Sequence, residues 1–182
     1  MAIHGKSVLA VIPARGGSKR VPRKNLREFR GRSLLVWAAE AAIRSKYIDD
    51  IAISTEDLEI GAVGHALTGL RLIARSPLLA TDDASSEDVL REALAESPAD
   101  WIVLLQPTSP LRTSEDIDAC IERAQIGNGC ISVGPDGLTN GAVYVATREW
   151  IMQHDFSHMG LMKYRMDADR SLDIDYPEDF LK

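Results

Sequence analysis

The sequence predicts a doubly wound α/β domain, in which helices cover both faces of a mainly parallel, mixed sheet. Short apolar runs alternate with helix-length periodic segments along the chain. The apolar runs lack the polar alternation of a half-exposed sheet, which indicates strands that are buried on both faces. No repeat or linker interrupts this order, so residues 1–182 are expected to form a single domain.

Strands are predicted where mainly apolar segments of four to seven residues stand between turn signals. They are VLAVI (8–12), DIAIS (50–54), LRLI (70–73), WIVLL (101–105), GCISVG (129–134) and GAVYVAT (141–147). The last two are joined by PDGLT, where Asp136 and Gly137 predict a tight turn. Beyond about residue 150 the pattern becomes irregular and predicts no element.

Helices are predicted where apolar residues recur every three or four positions. They are SLLVWAAEAAIRS (33–45), TEDLEIGAVGHAL (55–67), SSEDVLREALAES (85–97) and TSEDIDACIERAQ (113–125). Ile43 falls on the apolar face of the first helix, and Thr55 is the expected N-cap of the second. Thr113 and Asp116 have the spacing of a capping box at the start of the fourth.

Composition narrows the functional classes. The hydrophobic share of 45%, the charged share of 26% and the net charge of −6 are those of a folded globular protein. An acidic chain is not expected to bind nucleic acid or anionic membranes broadly. No run approaches the roughly 20 apolar residues of a membrane-spanning helix, and no cleavable leader is recognised. Cys120 and Cys130 match neither a disulfide framework nor a zinc pattern, so reduced thiols and a cytoplasmic location are expected.

The loop after the first strand is a basic exception in this acidic chain. IPARGGSKRVPRKN (12–25) contains five cations, and Gly16 and Gly17 allow backbone N–H groups to approach an anion. Ligands of doubly wound folds bind at the carboxyl ends of strands, so the loops after residues 12, 54, 73 and 105 form the candidate site. Neither GxxxxGK[ST] nor GxGxxG occurs in this loop. We therefore predict a polyphosphate site; the alternative is a solvated basic turn.

Two later segments offer chemistry that the residues alone leave open. In DID (173–175) two carboxylates share one side of an extended segment and could hold a hard cation, although from these residues alone a surface acidic pair is the favoured interpretation. QPTSPLR (106–112) offers an amide and hydroxyls for a polyhydroxy acid, or is a Pro-rich turn before a helix. His154 and His158 lie four residues apart but lack a third ligand for a transition metal.

Taken together, these motifs resemble the acylneuraminate cytidylyltransferases, the CMP-sialic acid synthetases and their bacterial relatives. The matching segments are IPARGGSKRVPRKN, ISTED, LATDDASSEDVL, LLQPTSPLR, NGAVYVA and DIDYPED, which span nearly the whole chain. The resemblance implies the Rossmann-like nucleotide-diphospho-sugar transferase fold. It also implies an enzyme that joins CTP to a nonulosonic acid, with Mg²⁺ as cofactor and pyrophosphate as the leaving group.

The resemblance implies roles for individual residues as well. The nucleotide-binding set is Ala14, Arg15, Gly17, Ser18, Lys24, Asn25, Arg75 and Ser86. The sugar-binding set is Gln106, Thr108, Ser109 and Tyr144. Asp173 and Asp175 match the metal-binding carboxylates, and with Arg15 and Lys24 they form the implied catalytic set.

One departure from the family pattern lies between CISVG and NGAVYVA. Family members carry a few dozen residues there that help to form a homodimer, and this chain has only a short connection at about 134–139. The resemblance is therefore to a shortened bacterial member, whose dimer and sugar side are in question. Two alternatives stay open, namely a noncatalytic nucleotide-binding relative and a cytidylyltransferase for another 2-keto sugar acid such as Kdo.

Overall fold

The structure, a computed structural model, describes Ile3, residues 5–157 and residues 160–182. Its strands are β1 (Val8–Pro13), β2 (Glu28–Phe29), β3 (Arg32–Ser33), β4 (Asp50–Thr55), β5 (Arg71–Ala74), β6 (Trp101–Leu104), β7 (Gly129–Val133), β8 (Thr139–Thr147) and β9 (Met162–Arg165). Its α-helices are α1 (Leu34–Arg44), α2 (Leu58–Ala66), α3 (Ser86–Ala95), α4 (Ser114–Ala124) and α5 (Arg148–Ile151).

Among the described residues, seven strands form one mixed sheet in the order β5-β4-β1-β6-β8-β7-β9. The four strands from β5 to β6 are parallel. β8 runs antiparallel to both β6 and β7, and β9 runs parallel to β7. β2 and β3 form a separate hairpin. The mainly parallel sheet predicted from the sequence is confirmed.

Helices cover both faces of the sheet. Residues of α1, α2 and α4 pack on one face, against alternate β1 residues such as Ala10 and Ile12. Residues of α3 and α5 pack on the other face, against Leu9 and Val11. Neighbouring β1 side chains are therefore buried on opposite faces, which explains the unbroken apolar run. The doubly wound class is confirmed.

In the part of the chain that the structure describes, no helix is both long enough and apolar enough to span a lipid bilayer. The two cysteines are free thiols, both buried, with 3.6 Å between their sulfur atoms.

Three local predictions need correction. Thr55 ends β4, and the N-cap of α2 is Asp57, whose carboxylate accepts the N–H groups of Glu59 and Ile60. Ile43 is 48% exposed because it lies beside the buried stripe of α1, which includes Ala38 and Ala42. β9 was missed because this edge strand is only half buried and carries the mixed sequence MKYR. The capping box of Thr113 and Asp116 is confirmed.

The last 16 residues run back across the body of the domain and are anchored at two points. Arg170 Nε lies 3.0 Å from a carboxylate oxygen of Asp116, a residue of α4 that is only 1% exposed. Ile174 is fully buried in a small cluster with Phe29 and Leu34, and its N–H donates to the Thr108 carbonyl at 2.8 Å. This anchoring fixes the segment that carries the two aspartates.

Because Ile174 fills that cluster, Ile174→Ala should lower the free energy of unfolding by about 2–5 kcal/mol through lost burial and a residual cavity. Leu181, on the same segment but 88% exposed, is the matched control, and Leu181→Ala should change stability by less than about 0.5 kcal/mol. Urea denaturation followed by circular dichroism measures both. Equal effects of the two substitutions would contradict this account of the anchoring.

Candidate functional site

A cleft of about 640 Å³ opens at the carboxyl ends of the parallel strands. Its walls come from the loops after β1, β5 and β6 and from the C-terminal segment. The lining residues are Pro13, Arg15, Ser18, Lys19, Arg20, Lys24, Asn25, Arg75, Thr81, Asp82, Ala84, Ser86, Gln106, Pro107, Thr108, Asp173 and Asp175. Of the four loops predicted to form the site, only the one after β4 does not line this cleft.

Ten of the fourteen site residues named from the sequence lie in this cleft. They are Arg15, Ser18, Lys24, Asn25, Arg75, Ser86, Gln106, Thr108, Asp173 and Asp175. Residues that are up to 160 positions apart in the chain are thus brought to one surface.

Carboxylates from other segments neutralise the basic loop. Asp82 pairs with Arg15 at 2.5 Å and also with Lys19. Asp175 pairs with Lys24 at 3.0 Å and with Arg20 at 3.1 Å. All six of these residues line the cleft, so its wall is a surface of exchangeable ion pairs.

The other end of the loop is attached to α2. Arg23, which adopts a left-handed backbone conformation with φ of 57°, pairs with Asp57 and Glu59. The hydrogen bonds from Arg23 and from the backbone N–H groups of α2 hold the pKa of Asp57 below its usual range. Gly16 N–H donates to Glu56 at 2.7 Å. The loop after β4 therefore supports the basic loop from behind.

Asn25 and Arg75 are two buried residues that line the cleft. The Asn25 amide donates to the Arg15 carbonyl at 2.9 Å. Arg75 is 6% exposed, and its Nε and Nη2 donate to Ser54 at 3.0 and 2.7 Å. Burial lowers the pKa of Arg75 from its usual value. A buried guanidinium that borders the cleft favours an electron-rich ligand group at that point.

The two aspartates face the cleft from either side of buried Ile174. Lys24 Nζ donates to the Ile174 carbonyl at 3.1 Å as well as to Asp175, and Asp179 accepts the N–H of Asp175 at 2.9 Å. The surrounding protein desolvates Asp173 and, with the nearby charge of Asp175, raises its pKa, which a hydrogen bond from Thr108 partly offsets. The crowding of these two carboxylates makes the pair a suitable place for a cation.

Four named residues do not line this cleft. Ala14 is fully buried, and its N–H donates to the Ser54 carbonyl at 2.9 Å. Gly17 lines a neighbouring cavity of about 490 Å³. Ser109 is fully buried and donates to the Asn140 carbonyl at 3.3 Å, so its hydroxyl is used within the fold. Ser109 follows the exposed part of the loop, where the chain has already turned inward, and its sugar-binding role stays a prediction.

Tyr144 also lies outside the lining. Its ring packs against Phe156, with 5.0 Å between the ring centroids. Burial raises the pKa of the Tyr144 phenol, and the nearby charge of Asp173 raises it further. Tyr144 is thus a half-buried residue of β8 behind the cleft wall, close to the aspartates but not on the surface that a ligand meets in this conformation.

Gly141, which the sequence analysis did not single out, lets β8 approach the loop after β6. Its φ is +74°, and a Cβ built on it would lie 2.9 Å from Gln106 Oε1. A substitution here would therefore push Gln106 out of its place in the cleft.

Sequence reasoning missed three contributors to this site. Asp82 was quoted within LATDDASSEDVL without a role, because nothing in that string indicates an ion pair with Arg15. Arg112 is buried and donates from Nη1 to the carbonyls of Gln106, Ser109 and Ala142 at 2.6, 3.1 and 3.3 Å, which ties the loop after β6 to β8. Asp179 caps the aspartate segment through the N–H groups of Asp175 and Tyr176.

The histidine pair gives no metal site that can be described. His158 lies outside the described residues, and His154 stacks on Trp150 with 5.2 Å between ring centroids. Among the residues that the structure covers, no group of three or more His, Cys, Asp or Glu side chains is arranged to hold a metal ion.

Comparison with known proteins adds independent information. Residues 9–133 match the family described as Cytidylyltransferase. The chain is 29% identical to an N-acylneuraminate cytidylyltransferase of Streptococcus agalactiae serotype III (strain NEM316), over 95% of this chain and 51% of that protein. It is also 29% identical to a CMP-N,N'-diacetyllegionaminic acid synthase of Legionella pneumophila, over 95% of this chain and 93% of that protein. The chain spans about half the length of the streptococcal relative and nearly all of the Legionella one.

These two alignments are 213 and 215 positions long, although the chain has 182 residues. Both relatives therefore carry residues that this chain lacks.

Solved structures show the same fold. A CMP:2-keto-3-deoxy-manno-octonic acid synthetase complexed with CTP superposes with a TM-score of 0.77 at 15% identity, covering 94% of each chain. The Mycobacterium tuberculosis H37Rv protein Rv0371c, in complex with manganese, gives a TM-score of 0.73 at 18% identity, covering 96% of each chain. At these identities the likeness establishes the architecture alone.

The two adjacent glycines of the basic loop should differ in their tolerance of a side chain. A Cβ on Gly16 would lie 2.3 Å from the Asp57 carboxylate, whereas a Cβ on Gly17 would have no neighbour within 4 Å. Gly16→Ala should lower the free energy of unfolding by about 1–3 kcal/mol through overpacking. Gly17→Ala should change it by less than about 0.5 kcal/mol. Urea denaturation compares the two, and similar losses would show that Gly16 and Asp57 are not in close contact.

Proposed function

The chain belongs to the cytidylyltransferase family, and we propose that it joins CTP to a nonulosonic, sialic-acid-like sugar acid to give a CMP-sugar and pyrophosphate. The observation that carries this proposal is the convergence of Arg15 and Lys24 with Asp173 and Asp175 in one cleft. The relatives named above act on acids of this class, and their similarity extends over 95% of the chain.

The cations of the basic loop would bind the triphosphate. Arg15 offers a planar fork of N–H donors to phosphate oxygens, and Ser18 adds a hydroxyl donor. Lys24, near the end of this loop, pairs with Asp175. Its ammonium group could therefore neutralise negative charge as it shifts from the α-phosphate to the leaving group. In the transfer, the anomeric oxygen of the sugar acid bonds to the α-phosphorus while the bond to pyrophosphate breaks. Such a reaction depends mainly on positioning and on neutralising phosphate charge.

Nucleotide recognition would use Arg75, Ser86 and Asn25, which all line the cleft, while Ala14 and Gly17 would contribute backbone groups. Gln106 and Thr108 also line the cleft and would contact the sugar acid. Tyr144 stands behind the cleft wall near Asp173, and Ser109 would support it from within.

Mg²⁺ is the cofactor that the donor set fits. Asp173 and Asp175 supply hard carboxylate oxygens, and a cation would favour the charged form of Asp173, whose pKa is raised by desolvation and, to a smaller extent, by the charge of Asp175. When bound, the ion would neutralise phosphate charge next to the two aspartates. Lys24 and Arg20 now pair with Asp175, and phosphate oxygens would become their partners once nucleotide and metal are present.

The sugar side is the less complete half of the site. Residues 134–139 form a tight turn, in which Gly134 N–H donates to the Leu138 carbonyl at 2.8 Å and Gly137 has a φ of +82°. We propose that residues 1–182 form one domain in the cytoplasm, where CTP is available. A dimerisation arm is missing from this domain, so a homodimer would have to form without it. A noncatalytic nucleotide-binding relative is the second candidate, and this shortened turn is the observation that favours it.

The function is tested by measuring pyrophosphate release from CTP and Mg²⁺ with a panel of sialic, legionaminic and pseudaminic acids. We expect release with CTP and at least one of these acids, and little with UTP or with Kdo. Release with Kdo alone would instead assign the chain to another 2-keto sugar acid. If calorimetry shows CTP binding but no acid of the panel gives pyrophosphate release, the noncatalytic relative is supported.

The metal assignment predicts a separation of binding from turnover. Asp175→Ala should lower turnover by on the order of 100-fold or more, because phosphate charge in the transition state loses its metal ligand. CTP binding should largely survive, since the substitution frees Lys24 and Arg20 for the phosphates. Glu178→Ala, an exposed carboxylate three residues further on, is the control and should retain turnover. Normal turnover in Asp175→Ala would remove the metal role.

A further inference from the structure

The ion pairs of Asp82 divide the phosphate side of the site into two compartments. The main cleft and the neighbouring cavity of about 490 Å³ share Arg15, Ser18, Lys19, Thr81 and Asp82 in their linings. Lys24 and the two aspartates line only the main cleft, and Gly17 lines only the neighbouring cavity. The bridge from Asp82 to Arg15 and Lys19 therefore stands where the two spaces would otherwise join.

We propose that Asp82 is an internal competitor for the phosphate-binding cations, which an incoming polyphosphate has to displace and which sets the affinity of the site for that ligand. This inference rests on the proposed function in taking CTP and pyrophosphate as the polyphosphates. A carboxylate and a phosphate oxygen seek the same guanidinium and ammonium groups, so Arg15 and Lys19 cannot satisfy both fully. Both cations help to pull the pKa of Asp82 below its usual value, which keeps it charged.

The segment that carries Asp82 is built to move more easily than its neighbours. Residues 81–84 lie between the turn that ends at Ala80 and helix α3, and three of the four are exposed. In the described part of the chain, these four residues belong to no helix or strand, and only Asp82 and Asp83 form a turn. The fold on either side is fixed, because Ala80 N–H donates to Pro77 and the Ser85 hydroxyl caps α3 through Asp88 N–H. High exposure outside regular secondary structure lowers the cost of local opening.

The other carboxylates that pair with the loop are not suited to this role. Asp57 caps α2 through two backbone N–H groups, so its departure would open the helix. Asp175 is held by Asp179 and belongs to the aspartate pair. Glu56 accepts from Gly16 on the side of the loop that does not line either cavity. Glu59, which pairs with Arg23, lines neither cavity. Asp82 alone among these five carboxylates combines contact with both cavities and a loosely bonded segment.

The consequence is a testable gain of affinity. Removing the negative charge of Asp82 leaves Arg15 and Lys19 without their internal partner, so a polyphosphate no longer competes for them. The loss of two partly exposed ion pairs of this kind should lower the dissociation constant of the polyphosphate by about 3-fold to 10-fold. Pyrophosphate should bind tighter by a similar factor and should inhibit turnover more strongly.

Asp82→Asn keeps the size and hydrogen-bonding oxygen of the side chain and removes only its charge. Asp83→Asn is the matched control, because it makes the same charge change one residue along, and Asp83 lines only the neighbouring cavity. Calorimetry with inorganic pyrophosphate and with CTP, both in Mg²⁺, should show the affinity gain in Asp82→Asn and less than about a 2-fold change in Asp83→Asn. Thermal melts without ligand check that both variants are folded.

The outcomes separate this inference from the proposed function. An equal gain in both variants would reduce the effect to net charge and overturn the competitor role. Weaker binding in Asp82→Asn would also overturn it, because Asp82 would then support the bound state. Pyrophosphate binding that is tighter only in Asp82→Asn would uphold the inference even if no sugar acid were turned over. Turnover with normal affinity in Asp82→Asn would uphold the function alone.

Discussion

The structure of this protein depends on how an acidic chain keeps five cations within ten residues of one another. Those cations repel each other, and the fold places carboxylates from three other segments against them. The carboxylates lie at the start of α2, in the loop before α3 and at the C-terminus. Each pair is partly exposed and contributes little stability alone. Their combined effect is to hold four distant segments together with their charges balanced, and three of these segments line the cleft.

The parallel half of the sheet determines where this cleft lies. β1, β4, β5 and β6 all end at the same edge, so their following loops meet there. The C-terminal segment crosses the same edge because Ile174 is buried and Arg170 pairs with Asp116. Antiparallel β8 then enters from the opposite direction, and Gly141 allows it to lie against Gln106. Each wall of the cleft thus follows from a strand direction and one anchoring contact.

Site residues in exposed, chemically distinctive strings could be predicted, and those in ordinary strings could not. Arg15 and Lys24 stand out by charge and position, the two aspartates were identified through the family resemblance, and the structure brings all four together. Ser109 was named for its hydroxyl and Tyr144 from the family resemblance, yet the Ser109 hydroxyl is bonded inside the fold and Tyr144 does not line the cleft. Burial of a single hydroxyl depends on the path of the backbone, which sequence spacing does not contain.

The sequence by itself determined the class of fold and the chemistry of the basic loop, because apolar periodicity and local charge act over a few residues. It also determined the helix caps that use neighbouring residues, such as Thr113 with Asp116. Only the tertiary structure decided that Asp82 pairs with Arg15, that Asp57 pairs with Arg23, and that Arg112 ties Gln106 to β8. These contacts join residues distant in the chain, and their geometry exists only once the sheet has placed the loops side by side.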